Sequence, residues 1–170
     1  MKLTLYTERL ILRPWTMDDA ETMFSSWASD PEVSKYLTWK PHNNVEETKL
    51  LLAYWIEQYE KPERLNFAIE LKEDHTLIGG IDVVGYLGGP NGTPVLGYNL
   101  AKKYWNKGYM TEVCKCLLEY LFSIGHKEVR IDAMVEKVAS QRVIQKCGGT
   151  YIGQETSKDG KLVNCYIVKK

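Results

Sequence analysis

The feature that most constrains this chain is a change of apolar period at Leu65. Before it, Leu51, Leu52, Trp55, Ile56 and Tyr59 recur at helical spacing, the stripe of an amphipathic helix that follows Asn44 and ends at Lys61-Pro62. After it, Asn66-Phe67-Ala68-Ile69-Glu70-Leu71 alternates as a strand does, Lys72-Glu73-Asp74-His75 supplies a turn, and Leu77 to Val84 reads as the returning strand. Helix followed by hairpin demands sheet and helices in one fold. With 170 residues, 44% of them hydrophobic and 26% charged, the chain is expected to make a single domain over residues 1–170.

The remaining segments extend the same alternation of types. Thr7 to Pro14 reads as a short strand stopped by proline, at or near a sheet edge. Thr16 then offers a hydroxyl cap for a helix carrying Ala20, Met23, Phe24 and Trp27 as far as Asp30-Pro31. Gly85 to Pro94 contains four glycines and two prolines and is expected to be irregular, and Val95 to Leu100 resumes as a strand. After Gly108 comes a helix that buries Val113, Cys114, Leu117, Leu118, Leu121 and Phe122 and ends near Gly125. Glu128 to Val135 is the next strand, and Ser140 is expected to open a short helix through Lys146 that stops at Cys147-Gly148-Gly149. Tyr151-Ile152 and Leu162 to Val168 are the last strands, flanking the turn Ser157-Lys158-Asp159-Gly160. The sum is an α+β domain.

Charge and cysteine usage remove several classes of function. Lys plus Arg equals Asp plus Glu at 22 each, so nothing global draws the chain to nucleic acid or an anionic membrane. No apolar run approaches the roughly 20 residues that span a bilayer. Cys114, Cys116, Cys147 and Cys165 form no CxxC pair and follow no secretory leader, which points to free thiols in a reducing cytoplasm and away from zinc. His42, His75 and His126 are too scattered for a histidine metal site or triad, so no metal is expected.

The chemistry concentrates between Gly97 and Glu112, where a strand passes through a compact turn into a helix. Unpaired amides converge at such a helix start, the macrodipole favours an anion, and Gly108 lets backbone approach a phosphate without a Cβ in the way. A plainer reading has Gly108 relieving a turn, Lys107 solvated and Trp105 packed beneath the helix. The stretch matches neither a Walker A loop nor a GxGxxG fingerprint, which disfavours nucleotide hydrolysis.

Leu96-Gly97-Tyr98-Asn99-Leu100 with Tyr104-Trp105-Asn106-Lys107-Gly108-Tyr109-Met110-Thr111-Glu112 resembles the acyl-CoA motif of the GCN5-related N-acetyltransferase (GNAT) superfamily. The resemblance is strongest to the RimJ/RimL-like branch of ribosomal-protein N-acetyltransferases. Thr7 to Arg13 is similar to that branch's opening, and Ala139 to Gly148 to its late helix. The resemblance implies a GNAT-like acyl-CoA N-acyltransferase fold: a mixed, mostly antiparallel sheet flanked by helices and splayed between two parallel strands, Val95–Leu100 and Val129–Met134. It also implies acetyl-CoA as cosubstrate. Pantetheine would pair with the backbone of Tyr98, Asn99 and Leu100, and the pyrophosphate would meet amides of Trp105, Asn106, Lys107, Gly108, Tyr109, Met110 and Thr111. Trp105 and Met110 depart from the general superfamily loop, and relatives commonly carry Asn where Lys137 stands and Phe where Gly149 stands. Lys137 is read either as a partner of a CoA phosphate or as a solvated lysine. Ser140 matches a serine assigned to protonating the leaving thiolate, but its position before a helix reads first as an N-cap, and the two uses can coexist.

The implied reaction is direct attack of a primary amine on the thioester. An α-amino group with a pKa near 8 is about 10% neutral at pH 7, whereas a lysine near 10.4 is neutral in well under 1% of molecules, so an N-terminal acceptor asks less of a base. The carboxylate candidates for that base are Asp82 and Glu70, with Tyr98 behind them. Asp82, amid Ile81, Val83 and Val84, is expected to have a raised pKa or to cap the glycine-rich loop. Alternation puts Glu70 opposite Phe67, Ile69 and Leu71, where solvent exposure is expected, although it also falls among the residues that would line the acceptor site. Tyr36, Trp39 and His42 lie between the first two helices, where the family binds its acceptor, and Trp39 reads equally as core. Cys114 and Cys147 read as small buried apolar residues, which disfavours a covalent relay. The expected acceptor is the α-amino group of a protein or peptide, ahead of a small-molecule amine such as a polyamine or antibiotic. A non-catalytic CoA-binding or partner-binding module of the same fold is the other alternative, and a monomer or homodimer is expected.

Overall fold

A computed structural model describes residues 3–37, 39–157 and 159–170. The strands are β1 Leu5–Tyr6, β2 Leu10–Arg13, β3 Asn66–Leu71, β4 Leu77–Leu87, β5 Thr93–Leu100, β6 Glu128–Met134, β7 Thr150–Thr156 and β8 Leu162–Lys169. The helices are α1 Ala20–Met23, α2 Pro31–Ser34, α3 Val45–Glu57, α4 Tyr109–Ser123 and α5 Val138–Lys146. They divide between two compact units. The first takes the chain up to Asp82 together with Tyr98–Tyr109, and the second takes Val83–Gly97 together with Met110–Lys170.

In the first unit β1, β2, β3 and β4 neighbour one another in sequence order, and β1 to β3 pair antiparallel, as do β3 and β4. β2 is therefore next to the edge, with only the two-residue β1 outside it, in keeping with the place near a sheet edge expected from the sequence. The core holds Trp15, Ala20, Met23, Trp27, Val33, Leu52, Ala68, Leu77 and Ala101. Asn44 caps α3 by accepting from the Glu47 N–H at 3.1 Å, and Asp30 caps α2 by accepting from Glu32 at 2.8 Å, with Pro31 in the first turn. The helix expected from Thr16 to Asp30 is instead a 3₁₀ turn over Met17–Asp19, then α1, then a π turn over Phe24–Ala28. Serine hydroxyls explain the widening. Ser29 Oγ donates to the Phe24 carbonyl at 2.8 Å and Ser25 Oγ to that of Glu21 at 2.8 Å, competing with the regular ladder.

In the second unit β6 pairs antiparallel with β8, and β8 with β7, while β5 and β6 form the parallel pair. That parallel ladder joins Val95 to Arg130 and Leu96 to Ile131, two register positions in a strand of eight residues. Val113, Cys114, Leu117, Leu118 and Leu121 form the buried stripe of α4, and Val129, Ile131 and Ala133 the buried alternate positions of β6. Strand structure continues through Gly85 to Leu87 and restarts at Thr93, so the irregular stretch shrinks to 88–92. Gly85 has open space where a Cβ would stand and so interrupts nothing, whereas the loop itself needs Gly92, whose Cβ would lie 1.7 Å from the Leu87 carbonyl oxygen. The last hairpin closes through Ser157 N–H to Lys161 O at 2.8 Å, with Gly160 at φ +79°; Lys158 of that turn lies outside the described residues.

Candidate active site

β4 brings Asp82 opposite Asn66 of β3, so their side chains share a face, and Gly80 two residues earlier shares it too. A Cβ on Gly80 would stand 2.7 Å from the Trp15 ring. Trp15 Nε1 donates to Asn66 Oδ1 at 2.8 Å, and Tyr59 OH accepts from the Trp15 N–H at 2.9 Å while donating to the Asn66 carbonyl at 2.8 Å. Burial pushes the Asp82 carboxyl up from 3.8 to about 7, against the opposing charge of Arg64. Burial likewise raises the Tyr59 phenol to about 12. A carboxyl that titrates near neutrality can accept a proton from an amine and release it to solvent.

Glu70 behaves differently from the sequence expectation. It is 7% exposed, and the alternation argument fails because the face it shares with Ala68 is covered by the helical layer. Arg13 Nε donates to Glu70 Oε2 at 2.5 Å and His75 Nδ1 lies 2.6 Å from Oε1, while Arg13 also forks onto Asp19 at 2.8 and 2.9 Å. Burial works to raise the Glu70 carboxyl, but the Arg13 and His75 bonds and charges together outweigh it and leave it below the ordinary value. Both oxygens are engaged inside the fold, so Glu70 is held as an anion.

The loop after β5 is pinned from two sides. Trp105 Nε1 donates to the Leu100 carbonyl at 2.7 Å, and Arg9 donates to the Lys107 carbonyl at 3.1 Å while its guanidinium lies 4.4 Å over the Tyr109 ring. Asn106 at φ +59° and Gly108 at φ +79° turn the chain sharply, leaving residues 106–108 exposed before α4 begins at Tyr109. Gly108 is there for its conformation, since a Cβ would meet no atom closer than Arg9 Nη2 at 3.4 Å. Before the loop, Tyr98 is half-buried, Leu100 is buried, and Asn99 Oδ1 is a buried acceptor with no partner among the described residues. Strand β4 approaches β5 closely here: a Cβ on Gly79 would stand 2.4 Å from the Asn99 carbonyl oxygen.

Tyr36 and Trp39 are both half-buried. Trp39 packs against the first unit's core and stacks on His42 at 4.9 Å between ring centroids. His42 Nδ1 lies 2.7 Å from Thr48 Oγ1, and desolvation lowers its pKa.

In the second unit, Met110 is buried and Thr111 half-buried in the first turn of α4. Ser140 is not the cap of α5. The helix begins at Val138 with Lys137 as its N-cap residue, and Ser140 lies in the first turn, 5% exposed, donating its N–H to the Lys137 carbonyl at 3.1 Å. Lys137 is partly buried, and desolvation lowers its ammonium to about 8, so it is not the freely solvated lysine of the plainer reading. Gln141 fixes this corner: Nε2 donates to the Val135 carbonyl at 2.7 Å, and Oε1 accepts from Asn164 at 3.0 Å and Tyr166 OH at 3.1 Å. Gly149 is required by packing, because a Cβ there would lie 2.4 Å from Ile144 Cγ2 and 2.9 Å from the Ile144 carbonyl oxygen.

Sequence reasoning gave no role to Arg9, Arg13, Arg64, Gly79 or Gln141. Arg9 and Arg13 lay within a recognised block, but the Lys107 carbonyl and the Glu70 carboxylate that they bond are remote in sequence. No group of three or more His, Cys, Asp or Glu residues suited to a metal ion occurs among the described residues.

Comparison with known proteins agrees with this fold. The sequence profile of the Acetyltransferase (GNAT) domain matches residues 9–150. The chain is 33% identical over 173 aligned positions to uncharacterized N-acetyltransferase p20 of Bacillus licheniformis, covering 96% of this chain and 93% of that one. A solved GNAT-family acetyltransferase from Bacillus anthracis superposes with a TM-score of 0.84 at 24% identity, covering 98% of both chains. RimL, solved in complex with coenzyme A and named as a ribosomal L7/L12 alpha-N-protein acetyltransferase, superposes at 0.85 with 18% identity, again over 98% of both. The family match across most of the chain, with the parallel strand pair and the pinned loop entering α4, makes this protein a member of the GNAT acetyltransferase family, an N-acetyltransferase.

Proposed function

We propose that the chain acetylates the α-amino group of a protein or peptide, with acetyl-CoA as the donor and Asp82 as the proton acceptor. The observation that carries this reading is the Asp82 carboxyl at about 7. An acceptor amine near 8 lies within about one pK unit of it, so proton transfer is nearly balanced, whereas a lysine near 10.4 would stand more than three units away. The fold likeness to RimL supports the same choice of acceptor.

When bound, acetyl-CoA supplies an acetyl thioester. The residues present suit it: the orphaned Asn99 Oδ1 is an acceptor for a pantetheine amide N–H, and the exposed turn at Asn106, Lys107 and Gly108 offers backbone donors to phosphate. Trp105 and Arg9 hold that turn in place, so donors aimed at the cosubstrate need no reordering when it arrives. Asp82 takes the proton that the amine loses.

The test is thiol release from acetyl-CoA across free N-terminal peptides, N-blocked lysine peptides, polyamines and aminoglycosides, with acetyl-CoA affinity measured by calorimetry. Free N-terminal peptides are expected to turn over fastest. Faster turnover of a polyamine or aminoglycoside would move the acceptor to small molecules, and acetyl-CoA binding with silence across the panel would leave a non-catalytic module.

A further inference from the structure

The mechanism uses no cysteine, yet two thiols of the second unit, distant in sequence, meet each other. Cys114 is fully buried in the stripe of α4, and Cys147 stands at the C-cap of α5, half-buried. Both are free, and they are hydrogen-bonded side chain to side chain. Cys147 Sγ also lies 3.8 Å from the Thr111 carbonyl, one turn before Cys114 on α4. Cys116 faces a different environment beside Glu112 and Glu119, and Cys165 accepts from Arg130 Nη2 at 2.9 Å.

We propose that Cys147 and Cys114 form a thiol–disulfide exchange site for low-molecular-weight disulfides, with Cys147 as the attacking thiol and Cys114 as the resolving one. The Cys147 thiol loses its proton to solvent. The thiolate attacks one sulfur of the small disulfide RSSR, forming Cys147–S–SR and expelling RS⁻, which is protonated to RSH. Cys114 then attacks the Cys147 sulfur of that mixed disulfide, forming Cys114–S–S–Cys147 and expelling the second RS⁻, which carries away the Cys114 proton. The protein dithiol is oxidised and the small disulfide is reduced to two thiols, so no other oxidant enters.

The order of roles follows from the surroundings. Of the two residues Cys147 is the more exposed, which makes it the one open to a solute. The Cys114 S–H donates to it and draws its pKa down; burial opposes this and the Lys115 charge assists it, with a net lowering. The hydrogen bond and burial both push Cys114 up, which keeps it protonated until a mixed disulfide forms beside it. Cys116 and Cys165 are both raised, Cys165 to about 11, so neither competes as a nucleophile.

The site is tested by exposing the reduced full-length chain to oxidised glutathione, quenching with acid at intervals, and mapping peptides without reduction. A transient glutathione adduct on Cys147 is expected to give way to a linked Cys114–Cys147 peptide, with Cys147 reacting at least about tenfold faster than Cys116. In Cys114→Ala the adduct on Cys147 should persist, and thermal unfolding of that variant checks that it is folded. Three results would overturn the proposal: a lasting adduct on Cys147 of the native chain, modification of Cys116 first, or no reaction at either member of the pair.

Discussion

Asp82→Asn separates a titrating carboxyl from a merely polar one, and its effect can be worked out in sign and size. The Asp82 pKa is raised in the folded chain from 3.8 to about 7. The folded state therefore holds this proton more tightly than the unfolded state does. The stability it contributes is complete below pH 3.8 and is lost as pH rises toward 7. At about 1.4 kcal/mol per pK unit, the full loss is about 4 kcal/mol, an upper figure for a half-buried group. Asparagine never ionises, so the variant should match the native chain near pH 4 and be the more stable of the two from pH 7 upward. Urea unfolding at pH 5, 6, 7 and 8 measures the difference directly. Turnover should show the opposite cost: loss of a general base is worth about 10²-fold or more, and the native limb near pH 7 should disappear while acetyl-CoA affinity holds. Stability curves that stay parallel across this pH range would refute the raised carboxyl. A stability difference with unchanged turnover would keep the buried acid but remove it from the reaction, leaving attack by an amine that is already neutral.

Three further perturbations follow from the geometry. Gly79→Ala sets a Cβ 2.4 Å from the Asn99 carbonyl, where backbone must shift, so about 1–3 kcal/mol of stability should be lost in thermal unfolding and acetyl-CoA binding should weaken with it. Arg13→Met leaves buried Asp19 and Glu70 without their shared cation and should cost about 3–5 kcal/mol at pH 7; because the Glu70 pKa is depressed, its share of that deficit should shrink as pH falls below 4.5. Trp105→Phe keeps the ring but removes the bond to the Leu100 carbonyl, so calorimetry should show acetyl-CoA binding weakened about fivefold, and unchanged binding would make Trp105 a packing residue only.

What the sequence disclosed depended on whether the deciding partner was local. The α4 helix was legible because its stripe from Val113 to Leu121 and its bounding Gly108 and Gly125 all lie within one stretch of chain. The turn at Asn106 and Gly108 was legible for the same reason. Glu70 was misread because alternation reports which face a residue occupies and not what covers that face, and the Arg13 guanidinium that engages it comes from a strand 57 residues earlier. Composition misled at Gly85 and Pro94, which sit inside strands; at Gly85 a Cβ would meet only open space. The hydroxyl of Ser140 suggested a cap, but the helix starts earlier, its corner held by Gln141 reaching back to the Val135 carbonyl. The parallel pairing of Val95 with Arg130 was available only through the family resemblance, since no local signal joins strands 35 residues apart.

The division of the chain has a consequence for how this protein is made. The first unit is interrupted after Asp82 and completed only by Tyr98–Tyr109, which supplies core residue Ala101 and its N–H to the Ile78 carbonyl at 2.9 Å. A nascent chain that has emerged as far as Gly97 therefore displays a hairpin and helices with the apolar seat of Ala101 still bare. A single cut between Asp82 and Tyr98 would leave each fragment lacking part of one unit, so complementary halves expressed separately would each expose core, and shortening by genetic truncation has no safe boundary there.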